Sequence, residues 1–308
     1  VRELDQPDDP HLSAVLGVVD REAIAARGFH VVLDSCHGAG GRAGAALLRR
    51  LGSQATILGP IPDGLYDHPP EPTEENLRGL TAIVPAVGAA VGFAQDPDAD
   101  RLAIVDESGR YIGEELTLAL ATRWRLEQRA GPVVLNLSTS RTAEAVASAY
   151  GCPTLRTPVG EIHVVERMLA EQAVLGGEGN GGVIDPRVGL VRDSLLGMAA
   201  VLDLLARIDR PLSALVDELP RYAMVKTKYP LGQATPVSKI FEQIADAHQD
   251  ARADLRDGLR LDWSDAWAHV RASNTEPIAR VITEASDRER ATELAEELGR
   301  WFQSEVLA

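Results

Sequence analysis

Aromatic side chains and cysteine are what this sequence has least of. Phe, Trp and Tyr make up 4% of its 308 residues, so Ala, Val, Leu and Ile must fill its cores. The two cysteines, Cys36 and Cys152, cannot form a disulfide framework. No apolar run reaches the roughly 18 residues needed to span a bilayer, and VRELDQPDDP at the start is not a signal peptide. A cytoplasmic location is the expectation. Positive charge is short as well: 31 Lys and Arg against 46 Asp and Glu leave a formal net charge of −15. That balance argues against nucleic acid and membrane as partners. It leaves room for a small anion, which needs only a local cluster of donors. A Walker lysine, an HExxH helix and histidines at metal-ligand spacing are all missing.

What is present describes a globular protein with 45% hydrophobic and 25% charged residues, long enough for two or three domains. FHVVLD (29–34) reads as a buried strand, CHGAGGRAG as a turn, AALLRRLG as a helix and QATILGP as the next strand, an α/β unit. A Pro-rich loop then leads to a helix start near Thr73. VGFAQ is a strand, and LAIVD and YIGEE are expected to pair as a hairpin around Glu107-Ser108-Gly109. The pattern restarts with helix LTLALATRWRLEQR, strand PVVLNLS, helix SRTAEAVASAYG, helix EIHVVERMLAEQ and the glycine-broken strand AVLGGEGNGGVI. A long helix, DSLLGMAAVLDLLARI, stops before Pro211. From about 220 the composition shifts: strand YAMVKTKYP, helix SKIFEQIADAHQD, a hairpin LRLDWSD/WAHVRAS and a closing helix from Arg288. The expected fold is α/β, two related three-layer α/β domains (1–113 and 114–217) followed by a smaller α+β domain (218–308).

Three short segments carry chemistry. QDPDADR (95–101) sets Asp96, Asp98 and Asp100 at alternating positions at a strand end. Such oxygen donors suit a hard cation such as Mg²⁺, with Arg101 placed to neutralise a phosphoryl group; the plain alternative is a solvated acidic turn. An EF-hand is ruled out, because its sharp-turn glycine is Arg101 here and the flanks read as strands. GGEGNGG frames Glu178 and Asn180 between glycines that let a ligand approach the backbone. A carboxylate and an amide two apart suit neighbouring sugar hydroxyls, and a bulged turn with a polar tip fits equally. VRASNTEPIARV (270–281) gathers Arg271, Ser273, Asn274, Thr275 and Arg280, the composition of an anion nest or of an ordinary hairpin loop. HGAGGRAG matches the dinucleotide pattern through Gly38, Gly40 and Ala43, yet the acidic residue expected about 20 positions on is missing. A structural turn is the better reading.

Taken together and in this order, QDPDADR, GGEGNGG and RASNTEP resemble the α-D-phosphohexomutase family of phosphoglucomutases, phosphomannomutases and phosphoglucosamine mutases. HPPEPTEENL and TPVGEIHVVERM are similar to its connecting segments, so the resemblance covers nearly the whole chain. It implies four domains around a cleft, and a phosphoserine that passes its phosphoryl group to a hexose phosphate and recovers another from the bisphosphorylated sugar. It implies Asp96, Asp98 and Asp100 as Mg²⁺ ligands, Arg101 at the phosphoryl group, and Glu178 and Asn180 as sugar readers. Arg271, Ser273, Asn274, Thr275 and Arg280 would hold the distal phosphate. Gly160-Glu161 falls on the loop that helps set sugar type, where an acidic residue resembles phosphoglucosamine mutases. Glucosamine, glucose or mannose phosphate is thus the expected partner.

The family's nucleophile segment, T-A-S-H-N-P, does not occur; no serine here precedes a histidine. Ser138 and Ser140 have no base near them in sequence. These 308 residues are therefore expected to correspond to domains two to four, binding metal and sugar phosphate without turnover. Two rivals stand beside this: a non-catalytic sugar-phosphate binding relative, and a metal-dependent phosphatase with Asp96 as nucleophile.

Overall fold

The computed structural model describes residues 9–231, 236–273 and 276–306. The described residues fall into two compact units, one running to Leu155 and including Gly160–Leu219, the other made of Arg156–Val159 and residues from Pro220 on.

The first unit opens with helices α1 (Asp9–Leu16) and α2 (Arg21–Arg27), then β1 (His30–Asp34), α3 (Gly41–Arg50), β2 (Gln54–Leu58), α4 (Arg78–Ala86), β3 (Val91–Gln95) and β4 (Leu102–Asp106). Their strands form a sheet in the order β2-β1-β3-β4, with β1 parallel to β2 and β3, and β4 antiparallel to β3. All ten residues of β3 and β4 are buried, which is why both read as unbroken apolar runs. The chain continues through α5 (Glu114–Gln128), β5 (Val133–Asn136), α6 (Arg141–Ala149), β6 (Thr154–Thr157), α7 (Glu161–Glu171), β7 (Leu175–Glu178), β8 (Gly182–Ile184), α8 (Ser194–Ile208) and α9 (Leu212–Asp217). The second sheet repeats the first, in the order β6-β5-β7-β8, with β7 parallel to β5 and β8 antiparallel to β7.

The expected hairpin of LAIVD with YIGEE forms only as a single bridge, Val105 to Tyr111. Gly113 turns the chain at φ +86°, and Glu114 and Glu115 open α5, where acidic side chains complement the helix dipole. AVLGGEGNGGVI is two short antiparallel strands, not one broken strand. A single core joins the two sheets through α5 and α8. Helix α8 is buried from Ser194 to Asp203 and on to Leu205, so it is apolar on every side. Its buried Asp203 accepts a hydrogen bond from the Trp124 indole on Oδ2 at 2.7 Å, which satisfies the indole N–H, while Oδ1 faces the Arg207 guanidinium at 3.4 Å.

The second unit is an antiparallel sheet with two helices: β9 (Ala223–Pro230), α10 (Val237–Ala247), β10 (Arg252–Asp254), β11 (Leu259–Asp262), β12 (Ala266–Ala272), β13 (Ile278–Ala285) and α11 (Arg288–Val306). The strand order is β10-β11-β12-β13-β9. Ala268 and Val270 pack with Ile240, Phe241, Leu294 and Leu298 of the helices. Alternation puts Trp267, His269 and Arg271 on the other face of β12. The α/β class and the smaller α+β part are as the sequence led us to expect. Both cysteines are buried and unpaired, and among the described residues no helix is long and apolar enough to cross a membrane.

Candidate functional site

Asp96 follows directly on the carboxyl end of β3, the end of a parallel strand where α/β sheets present their ligands. It is buried, Asp100 is half-buried and Asp98 exposed, and one oxygen from each lies within 4.8 Å of the others. The loop is shaped from inside. The Arg101 backbone N–H donates to Asp96 Oδ1 at 3.0 Å and its Nε to Oδ2 at 2.7 Å. Ala99 sits at φ +63°, a conformation that costs an L-residue free energy and persists only where neighbours hold it. Here Ser194 holds it, donating from Oγ to the Ala99 carbonyl at 2.6 Å, while Gln95 donates to Ser194 Oγ at 2.7 Å.

Charge in this loop is finely divided. Burial opposes ionisation of Asp96, but Arg101 holds its carboxyl below the usual carboxylate range. Asp100 is pushed up to about 6, by burial first; Arg192 opposes this, and the charges of Asp96 and Asp98 add to it. Three clustered carboxylates with only oxygen donors fit a hard dication such as Mg²⁺, which would relieve that repulsion.

The glycine turn after β1 serves this loop. A Cβ on Gly38 would fall 2.8 Å from Pro97 Cα, and one on Gly40 2.7 Å from Gln95 Oε1. The Ala39 N–H donates to the Pro97 carbonyl at 2.8 Å. The glycines of this pattern meet a packing requirement: only glycine lets the turn lie against the acidic loop.

Glu178 ends β7 and is almost wholly buried. Its Oε1 accepts from Asn136 Nδ2 at 2.7 Å and from the Gly160 N–H at 2.9 Å. Its Oε2 accepts from Arg192 Nη1 at 2.9 Å. Asn180, at the hairpin tip, accepts from the Gly182 N–H at 3.3 Å. Arg192 also donates from its backbone N–H and Nε to Glu161 Oε2, at 2.9 and 3.2 Å, and from Nη2 to Asp100. One guanidinium thus meets three carboxylates from three segments. A Cβ on Gly182 would lie 2.8 Å from Arg192 Cγ, so the glycine clears the path of the arginine stem. The hairpin tip is also tied to the start of β4, just after the acidic loop, by the Leu102 N–H, which donates to the Gly181 carbonyl at 3.2 Å.

Arg192 therefore joins Asp100, Glu161 and Glu178; Asp96, Asp98 and Arg101 cluster with Asp100, Gly160 bonds Glu178, and Asn180 lies on the adjoining tip. Arg192 lies outside the three sequence motifs. Its only local signal is its place before Asp193, the cap of α8, whose Oδ1 accepts from the Leu195 and Leu196 N–H groups. Ser140 Oγ caps α6 and is engaged with Thr142.

The remaining candidates lie in the second unit. Arg271 and Arg280 are paired across β12 and β13. Arg271 faces Asp257 at 3.6 Å, and Arg280 faces Glu276 at 3.5 Å. The Ser273 N–H donates to the Ile278 carbonyl at 2.9 Å. Asn274 and Thr275 lie outside the described residues.

Three family models match in sequence order: phosphoglucomutase/phosphomannomutase alpha/beta/alpha domain II at residues 9–109, alpha/beta/alpha domain III at 113–222 and the C-terminal domain at 225–300. A phosphoglucomutase/phosphomannomutase of Thermococcus kodakarensis is 38% identical over 290 residues, 93% of this chain and 63% of the relative. A protein of Methanopyrus kandleri named as a probable phosphoglucosamine mutase is 35% identical over 285 residues, 91% of this chain and 63% of that one. The crystal structure of a phosphoglucomutase/phosphomannomutase family protein from Burkholderia thailandensis superposes with a TM-score of 0.84 at 25% identity, over 96% of this chain and 64% of that one. The chain thus spans a little under two thirds of the length of these relatives.

Proposed function

We propose that this chain, which belongs to the phosphoglucomutase/phosphomannomutase family, is the metal-holding and sugar-reading part of a phosphohexomutase that interconverts hexose 1-phosphate and 6-phosphate. The observation that carries this is the joining of two loops by one side chain: Arg192 bonds both Asp100 of the acidic loop and Glu178 of the glycine hairpin. A cation and a polyhydroxylated ligand would then be bound side by side.

In this reading Asp96, Asp98 and Asp100 hold Mg²⁺, which when bound supplies Lewis-acid charge for the phosphoryl group. Arg101 sits where it would face that group. Glu178 and Asn180 read hydroxyls, and Gly160-Glu161 tunes the choice of sugar. Arg271, Ser273, Asn274, Thr275 and Arg280 grip the distal phosphate. Glu161 and Glu178 give this site two carboxylates, which suits an ammonium-bearing sugar, so phosphoglucosamine is our first choice of substrate. The name of the Thermococcus relative supports a second choice, glucose or mannose phosphate. The residues themselves offer no serine in the family's nucleophile setting, so we propose that these 308 residues bind without turning over. We place the protein in the cytoplasm.

The test is calorimetry of glucosamine, glucose and mannose 6-phosphates with Mg²⁺ present, alongside assays of isomerisation and of phosphate release. We expect saturable binding, tightest for glucosamine 6-phosphate, and no phosphate release. Steady phosphate release abolished by Asp96→Asn would replace the mutase reading with a phosphatase.

A further inference from the structure

Arg192 is set among more negative charge than it can neutralise. Nη2 is on Asp100, Nη1 on Glu178, and Nε with the backbone N–H on Glu161. The half-buried Asp100 is the carboxylate that the acidic loop would offer to a cation. A dication and a guanidinium on one carboxylate repel each other, and at a half-buried site that repulsion is poorly screened. Arg192 can give up Asp100 and still stay in this cluster, because Glu161 accepts from its Nε and backbone N–H and Glu178 from its Nη1.

We propose that Arg192 is a displaceable counter-ion that links the metal loop to the sugar-reading hairpin. It neutralises Asp100 while no metal is bound. When a divalent cation takes Asp100, the Nη2 group is released and its N–H becomes a donor for the sugar phosphate, while Glu161 and Glu178 keep the guanidinium in place. Cation and sugar phosphate then bind with positive coupling, and each tightens the other by the same factor. Arg192 is a positioning residue in this scheme. The proposal rests on the metal reading of Asp96, Asp98 and Asp100.

The experiment is calorimetry on the 308-residue chain with Mn²⁺ as the metal probe and glucosamine 6-phosphate as the sugar probe. The proteins are wild type, Arg192→Met, Arg192→Lys and Asp98→Asn. Wild type should bind the sugar phosphate about five- to tenfold more tightly with Mn²⁺ present. Arg192→Met removes the competing charge, so Mn²⁺ alone should bind about tenfold more tightly, while the coupling falls to about one. Arg192→Lys keeps the charge without the three-way fork; Mn²⁺ affinity should stay within about twofold and the coupling should again be lost. If wild type binds no Mn²⁺, or Asp98→Asn binds it unchanged, the metal reading falls and this proposal with it. If Asp98→Asn loses Mn²⁺ but Arg192→Met binds it no more tightly than wild type, the metal reading stands and the role of Arg192 is wrong. Coupling that survives in both Arg192 variants, or sugar phosphate binding that is absent or indifferent to Mn²⁺ in wild type, overturns the linkage.

Discussion

The two four-stranded sheets place different chemistry in the same topological slot. Each has its first and third strands side by side and parallel, and a fourth strand returning antiparallel beside the third. In the first sheet the link from third to fourth strand is Asp96–Arg101, rigidified by an arginine that folds back on its own loop. In the second it is the tip Gly179–Gly181, almost bare, and the acid just before it, Glu178 at the end of β7, is held by Asn136, Gly160 and Arg192. A repeated scaffold thus carries two different loops: one clusters three carboxylates, the other is made of glycines around Asn180. The third sheet has another strand order, β10-β11-β12-β13-β9, and serves as a reference.

The contrast is sharpest when the slot is emptied of charge. Asp96→Asn should lower Mn²⁺ affinity more than a hundredfold by calorimetry; a smaller loss would mean that the first slot is only an acidic turn. Next in size, Glu178→Ala should weaken glucosamine 6-phosphate about tenfold to a hundredfold and leave inorganic phosphate binding unchanged. Equal loss of both ligands would deny the second slot its sugar-reading part. Gly40→Ala probes the support behind the metal loop. Its Cβ would press on Gln95 and Ala99, and we expect about 1–2 kcal/mol of lost stability in urea together with weaker Mn²⁺ binding.

The reference sheet should respond to acid. His269 is buried in β12, with Nε2 2.6 Å from the Asp257 carbonyl, and burial lowers its pKa to about 4. The unfolded chain takes up this proton near pH 6.5 and the folded one only near 4, so stability is full above 6.5 and is lost as pH falls between them. By pH 5.5 the loss should be about 1 kcal/mol, and His269→Gln should abolish that part of the pH dependence in urea unfolding. Smallest of all, Gly79→Ala adds a methyl on the exposed side of α4 with nothing within 4 Å, and it should stabilise by about 0.5 kcal/mol.

The sequence made the elements legible wherever burial imposes an unbroken apolar run, as in HVVLD, VGFAQ and LAIVD. It made the acidic loop legible because three carboxylates at alternating positions need a purpose. Arg192 escaped notice because its meaning is entirely tertiary: its partners are 92, 31 and 14 residues away. The packing reason for the glycines at 38 and 40, contact with Pro97 and Ala99, cannot be read without the fold. YIGEE alternates like a strand, but Gly113 and the two following acids answer to the start of α5.

One backbone hydrogen bond carries a consequence beyond this chain. The Leu102 N–H on the Gly181 carbonyl fixes the length of both slots against each other, since a residue gained in one would carry its partner atom out of reach. Insertions, deletions or recombination junctions that split them should be purged, and the acidic loop of one relative should graft onto another only when the glycine hairpin travels with it.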